Sequence, residues 1–462
     1  MKSLQELLSK PIAVLGAGVS GRAIIAFLER KGAEYDIYDE RETTTSGSKA
    51  LASLVTPEKY GVAIVSPGWR KDHPMVESLR SAGVQLISDI DLAWLYKNEV
   101  APDQRWIALT GTNGKTTTIQ MMAAILQASH LTGVACGNVG DPVISVLMAN
   151  PELNILALEL SSFQIEWSLL PEYAAVAVLN IAEDHIDWHG SFDSYANSKM
   201  QLLASSDRAI LNAMDSEVVA RSTSFKGEKI FYSLETPAPG ELGLVEDLLI
   251  DRAFGIDPQE AHVLAELADI TPQVPHNVSN ALAAAGLARS IGISHEEIKR
   301  GLSSFLLDHH RLELVLELNG ISWINDSKAT NPHAAIAGIL SHTSVIWIAG
   351  GLAKGAKMDQ LVKRAAPRLK AALLIGSDRE LIAAALAEYA PSVPVIRING
   401  DGTPEDLMNE IVSKAKSLAT SGDTVLLAPA CASMDQFTSY AHRGDLFAKT
   451  VRDQIKAGSA HE

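Results

Sequence analysis

The stretch Ile107-Ala-Leu-Thr-Gly-Thr-Asn-Gly-Lys-Thr-Thr-Thr118 decides how this 462-residue chain is read. An apolar run breaks into glycines, one lysine and hydroxyls. It then passes into Ile119-Gln-Met-Met-Ala-Ala-Ile-Leu126, which has helix-forming composition. Strand, glycine turn and helix start together offer backbone N–H groups and a positive helix end to phosphate. Gly111, Thr112, Asn113, Gly114, Lys115, Thr116 and Thr117 are therefore candidate nucleotide contacts. Lys115 would reach the terminal phosphates, and the Thr116 hydroxyl would meet a magnesium ion. The general motif has four residues between its glycines, whereas Gly111 and Gly114 enclose two. A bare Gly-Lys-Thr also fits an ordinary strand-turn-helix connection, but the flanking strand and helix favour phosphate.

The chain around this loop is too long for one core, and roughly two to four domains are expected. Hydrophobic residues at 47% and charged residues at 20% describe a globular protein. A net charge of -16 argues against nucleic acid held on a basic surface. No apolar run reaches membrane-spanning length, and Met1 to Lys10 has no signal-peptide core, so the expected setting is the cytoplasm. Cys136 and Cys431 lie far apart in sequence and read as buried thiols in a reducing compartment.

Upstream, the strand pattern Pro11 to Leu15 runs into Gly16-Ala-Gly-Val-Ser-Gly21. A helix over Arg22–Lys31 follows, stopped by Gly32, and then a strand, Glu34 to Tyr38, ending in Asp39-Glu40-Arg41. This is a dinucleotide-type fingerprint that suits a phosphorylated ligand without identifying NAD; a tight packing turn explains it too. Val62 to Val65, with Ser66-Pro67-Gly68 behind it, gives another strand and anion turn. Val84 to Ser88 closes a small doubly wound domain.

Downstream, Gly137-Asn-Val-Gly140 is a turn in which Asn138 either serves the turn or binds a ligand. The strand Asn154 to Leu158 ends in Glu159-Leu-Ser-Ser-Phe-Gln164. A carboxylate at such a strand end, after a phosphate loop, suits magnesium, although it could also cap a helix. Ala174 to Leu179 leads into Asn180-Ile-Ala-Glu-Asp-His-Ile-Asp-Trp-His189, which places His185 at a third strand end. Glu183 and Asp187 read better as a solvated acidic loop. By spacing alone, Lys199 reads as a surface residue, because an ammonium would repel magnesium. Asn277 and Asn280 share one helix face, and helix capping explains one of them better than both.

In the last third, strands Leu312 to Leu318 and Ile321 to Ile324 meet at Asn319-Gly320, a hairpin signal. Further strands, Val345 to Ala349, Ala371 to Ile375, Val393 to Ile398 and Thr424 to Leu427, make another α/β domain. Polar residues gather at its strand ends: Asp326, Lys328 and Thr330, then Lys354, then Ser433. Two lysines with hydroxyls at neighbouring strand ends suit a dicarboxylate.

Gly111-Thr-Asn-Gly-Lys-Thr, Glu159-Leu-Ser-Ser-Phe-Gln, Asn180…Glu-Asp-His185, His276-Asn…Asn280, His310-Arg311 and Asn325-Asp-Ser-Lys-Ala-Thr-Asn resemble the Mur ligase family in order and spacing. Asp326-Ser-Lys-Ala-Thr-Asn-Pro332 and Pro429-Ala-Cys-Ala-Ser-Met-Asp-Gln-Phe437 are similar to the members that add D-glutamate. The resemblance implies an α/β protein of three domains. These are a Rossmann-like N-terminal domain over 1–100 for the uridine nucleotide and a central P-loop ATPase-type domain with a parallel sheet over 101–306. A C-terminal Rossmann-like α/β domain over 307–462 would take D-glutamate.

The implied activity is ATP-dependent ligation of D-glutamate to UDP-N-acetylmuramoyl-L-alanine through an acyl phosphate, by a monomer. By matching position, Val19, Ser20, Arg41, Ser66, Gly68, Asn138 and Gln164 would bind the UDP substrate. Asn277, Asn280, Arg311 and Asp326 would join the loop in binding ATP. Lys328, Thr330, Lys354, Ser433 and Tyr440 would hold D-glutamate. Thr116, Glu159, His185 and Lys199 would hold magnesium, expected as two ions, with Lys199 carrying a carbamate. Carbamylation replaces the spacing-based surface reading of Lys199, since it turns a repelling ammonium into an anionic ligand. Lys115, Glu159, His185 and Lys199 are the implied catalytic set.

Overall fold

The computed structural model describes residues 3–39, 48–49, 56–255, 257, 259–400 and 402–456. Three sheets carry the fold. By contact, the chain forms two compact units: Met1–Ile181 with Asp193–Phe305, and Ala182–Phe192 with Leu306–Glu462.

The first sheet is five-stranded and wholly parallel. Counted from its own first strand, its order is 3-2-1-4-5, with Ile12–Leu15 in the middle. Ile12–Leu15 and Val62–Val65 are buried along their whole length, the continuous apolar pattern of strands covered on both faces. The helix Val19–Lys31 starts three residues earlier than expected and ends at Gly32, left-handed at φ 66°. Gly16 adopts φ 97°. A methyl at Gly21 would fall 1.9 Å from the Gly16 carbonyl oxygen, so strand and helix approach as closely as the fingerprint requires.

The central sheet has nine strands in its own order 9-8-7-6-5-4-1-3-2. The loop strand Arg105–Thr110 lies between Ile155–Glu159 and Ala175–Val178, parallel to both. The sheet corrects one expectation, because it is not parallel throughout. Glu241–Val245, Leu248–Asp251 and His262–Glu266 pair antiparallel at one edge. Their short connections allow hairpin pairing and leave no length for a crossover helix. Helices Pro275–Ser290 and His295–Ser304 pack on the loop helix Lys115–Ala128.

The six strands of the third sheet run in their own order 1-2-6-3-4-5, with Glu313–Leu318 as an antiparallel edge. The hairpin forms where the sequence places it. Asn319 and Gly320 both take positive φ, 55° and 72°, as a type I′ turn requires. Strand Val345–Gly350 shows why the sheet is covered on both faces. Val345, Trp347 and Ala349 join the core beneath helices Pro332–Leu340, Asp359–Ala365 and Arg379–Tyr389. Ile346 and Ile348 join the core beneath Pro404–Leu418 and Tyr440–Val451.

Candidate functional site

The phosphate loop leaves the C-terminal end of Arg105–Thr110, and Gly114, at φ 81°, turns it into the helix Lys115–Ala128. A Cβ at Gly114 would stand 2.4 Å from Oδ1 of Asn280, so that asparagine lies against the loop. Asn277 uses its amide on the Thr271 and Pro272 carbonyls, at 3.2 and 3.1 Å. Both asparagines are buried in the helix Pro275–Ser290. Lys115 Nζ folds back onto its own loop, donating to the Gly111 and Thr112 carbonyls at 2.8 and 3.0 Å.

Lys199 also reaches this loop. Its side chain is buried, and Nζ donates to Gly111 O at 2.8 Å while lying 4.8 Å from the Tyr195 ring centre. The surface reading from spacing was wrong. Helix Phe192–Met200 turns Lys199 and Tyr195 inward together, and the Tyr195 hydroxyl pairs with that of Thr112 at 2.9 Å. Glu159 stands level with Leu109 in the adjoining strand and is 1% exposed. Asn138 donates to its Oε1 at 2.9 Å, whereas its Oε2 is buried without a hydrogen-bond partner. A buried carboxylate oxygen left open beside a phosphate loop fits a cation that protein donors do not replace. Gln164 is buried in a capping box with Ser161.

His185 lies on the segment Ala182–Phe192, which groups with the second unit. It takes a left-handed φ of 52°, and its Nε2 stands 3.7 Å from Asp184 Oδ2. Among the described residues, no three His, Cys, Asp or Glu side chains gather as a preformed metal cluster. Thr116 opens the loop helix immediately after Lys115.

At the first sheet, Val19 opens its helix and is 63% exposed, next to Ser20. The Ser66 hydroxyl donates to Gly16 O at 3.4 Å, in the turn that also carries Gly68. Asp39 accepts the Ala17 N–H at 2.6 Å. Burial pushes the Asp89 carboxyl up to about 6, against a hydrogen bond from Ser20. Arg41 lies outside the described residues.

In the second unit, three strand-exit loops are tied together. Ala430 N–H donates to Ala329 O at 2.9 Å, and Leu352 and Ala432 exchange two backbone bonds of 2.9 Å. These loops carry Lys328 and Thr330, Lys354, and Ser433. Lys354 takes φ 51° just after Gly350 and Gly351, at 120° and 134°, and Ser433 is buried. Lys328 Nζ sits 3.8 Å over the Tyr440 ring, so the aromatic position and the first lysine are partners. Asp326 lies at the end of strand Ile321–Asn325, accepting Leu312 N–H at 3.3 Å, with Arg311 on the same turn. Burial drives its carboxyl up to about 7, opposed by the Leu312 bond and the Arg311 charge.

Sequence reasoning missed two side chains that hold these loops. Asn180 grips the phosphate loop through its amide. Arg443 is fully buried and donates to Ser327 Oγ and O at 3.0 Å and to Cys431 O at 3.4 Å. Asn180 stood inside a quoted motif, whereas nothing in Tyr440-Ala-His-Arg-Gly marks Arg443 as buried.

Residues 109–288 match the Mur ligase middle domain, and residues 310–431 match the Mur ligase glutamate ligase domain. The chain is 44% identical to the UDP-N-acetylmuramoylalanine--D-glutamate ligase of Thermobifida fusca, over 97% of this chain and 99% of that protein. It is 43% identical to the protein of the same name from Streptomyces coelicolor, with the same two coverages. Among solved structures it resembles MurF from Acinetobacter baumannii, with a TM-score of 0.60, 17% identity, and 98% and 93% of the two chains covered.

Proposed function

Because the chain belongs to the Mur ligase family, we propose that it ligates D-glutamate to UDP-N-acetylmuramoyl-L-alanine at the expense of ATP in peptidoglycan precursor synthesis. The observation that carries this reading is the match along 97% of the chain to relatives bearing that name. The loop geometry supports the ATP half, and the stitched strand-exit loops support the amino-acid half.

An amine cannot displace oxide from a carboxylate, so the L-alanyl carboxylate must first be activated. Its oxygen attacks the γ-phosphorus, the bond to the ADP oxygen breaks, and an acyl phosphate forms. The D-glutamate amine then adds to the acyl carbon and loses a proton, and the carbon–oxygen bond to phosphate breaks. The products are the amide, ADP and phosphate. Lys115 must leave the Gly111 carbonyl to neutralise charge on the transferring phosphoryl group. Lys328, Thr330, Lys354, Ser433 and Tyr440 hold the D-glutamate in this proposal, with lysines meeting carboxylates. Val19, Ser20, Arg41, Ser66 and Gly68 hold the uridine diphosphate end, and Asn138 and Gln164 the end nearer the reacting carboxylate. Asn277, Asn280, Arg311 and Asp326 contact the adenine, ribose and phosphates of ATP in this proposal.

The open Oε2 of Glu159 supports magnesium binding there. Bound magnesium would screen the phosphate charges and act as a Lewis acid on the phosphoryl oxygens. Glu159, Thr116 and a carbamate on Lys199 would hold it, with His185 proposed as a further ligand from its motif position alone. The three-domain division at residues 100 and 306 and a monomeric state belong to the same proposal. Phosphate release from ATP with UDP-N-acetylmuramoyl-L-alanine should require D-glutamate. L-glutamate, L-lysine and diaminopimelate should not replace it. Equal release with all four amino acids, or with none, would overturn the assignment.

A further inference from the structure

We infer that Asn180 is the positioning residue of the phosphate loop, and that it is why two residues suffice between Gly111 and Gly114. The inference rests on the ATP-binding reading of that loop and adds a device to it. Asn180 lies two residues beyond the end of Ala175–Val178, the strand beside the loop strand. Its Oδ1 accepts the Asn113 N–H at 2.8 Å, and its Nδ2 donates to the Asn113 carbonyl at 3.0 Å. Its own carbonyl accepts the Thr112 N–H at 2.9 Å. Three hydrogen bonds from one residue therefore fix two consecutive loop residues. The fit is also close in space. A Cβ at Gly111 would lie 2.9 Å from the Leu179 Cβ and 3.4 Å from the Asn180 nitrogen.

These bonds redistribute the loop's work. In a longer loop, successive N–H groups can turn onto phosphate. Here the Thr112 and Asn113 N–H groups are committed to Asn180. Anion binding then falls to the opening turn of Lys115–Ala128, at the positive end of that helix. The loop does not need length to wrap phosphate, because the neighbouring strand end braces it from outside. A preformed loop also avoids the ordering cost of closing on nucleotide. Asn180 acts through the loop backbone and need not touch ATP.

The test uses Asn180→Asp and Asn180→Ala in the full chain, with wild-type D-glutamate-dependent phosphate release as the control for the underlying reading. Asn180→Asp keeps Oδ1 and turns an oxygen onto the Asn113 carbonyl. Both variants should raise the KM for ATP and the Kd for ADP by on the order of tenfold or more, about the loss of one or two hydrogen bonds. The KM for D-glutamate should stay within about twofold, a split that general loosening of the fold would not produce. A folded Asn180→Asp protein with wild-type ADP affinity would overturn the inference, even with the ligase activity intact. Should neither variant fold, hydrogen exchange on the wild-type protein decides. The Asn113 amide should be protected well beyond that of Lys115. Exchange of Asn113 at the rate of an unstructured amide would overturn the proposal.

Discussion

Lys115 and Lys199 donate to the same oxygen, each ammonium lying 2.8 Å from the carbonyl of Gly111. One lysine belongs to the loop and the other to the helix Phe192–Met200, so the contact joins local and distant chain. The shared carbonyl oxygen draws the two ammonium groups together, at a cost in repulsion and desolvation that nucleotide phosphate would relieve.

Lys115→Ala removes the cation closest in sequence to the helix start. Turnover should fall by roughly 10²–10³-fold, as for loss of one preorganised charge-stabilising donor. The midpoint of thermal unfolding should hardly change, because Lys115 is only partly buried. Steady-state kinetics with a melting curve checks both halves, and near-normal turnover would sink the role.

Lys199 should carry an added carbon dioxide when the protein is kept with bicarbonate and magnesium. Carbon-13 solid-state NMR after labelled bicarbonate would show a carbamate carbon, absent in Lys199→Ala. An unmodified amine under those conditions refutes the modification. The Tyr195 ring 4.8 Å from Nζ marks the space the carbamate must share.

Asp326→Asn separates stability from function. Burial raises the folded carboxyl from 3.8 to about 7. The folded state therefore holds the proton more tightly than the unfolded chain. That advantage is complete below about pH 4 and is lost as pH rises through about 7. The amide cannot ionise, so the variant should melt higher than wild type at about pH 8 and nearly level with it at about pH 4, with roughly 4 kcal/mol as the ceiling. ATP-dependent turnover should fall in the same variant. A melting difference independent of pH would refute the linkage.

Arg443→Met should weaken the second unit by about 2 kcal/mol. It relieves a buried charge but strands the Ser327 and Cys431 carbonyls without their donor. Those loops carry Lys328 and Ser433, so the KM for D-glutamate should rise about tenfold while that for ATP holds. Urea melts and substrate-by-substrate kinetics would show it. A D-glutamate KM at the wild-type value counts against the loop-tying role.

Gly21→Ala places a methyl 1.9 Å from backbone that cannot give way cheaply. A destabilisation of about 1–3 kcal/mol is expected, with a matching loss of affinity for UDP-N-acetylmuramoyl-L-alanine. Calorimetry and the KM for that substrate test it. An unchanged melting point would mean that helix and strand separate more easily than their approach suggests.

Most strands were legible because their burial is continuous. Val62 to Val65 and Thr424 to Leu427 read directly as β structure from apolar residues bounded by turns. Asn319-Gly320 was legible because a type I′ turn depends on two residues alone. What sequence hid depends on chain brought from afar. Lys199 meets Gly111 from 88 positions away, Asn180 meets Asn113 from 67, and Arg443 meets Ser327 from 116. A lysine or arginine in an amphipathic helix carries no mark of burial until its partner strand is placed beside it. The antiparallel edge of the central sheet was hidden for a related reason, since its short strands alternate too little to declare direction.

Asp39 gives the first sheet a last consequence. Its carboxylate already accepts the Ala17 N–H in the glycine turn. The socket is self-liganded, its resting anion supplied by the protein. A phosphorylated guest reaching that N–H enters by exchange, and its affinity is a difference between two anions competing for one donor.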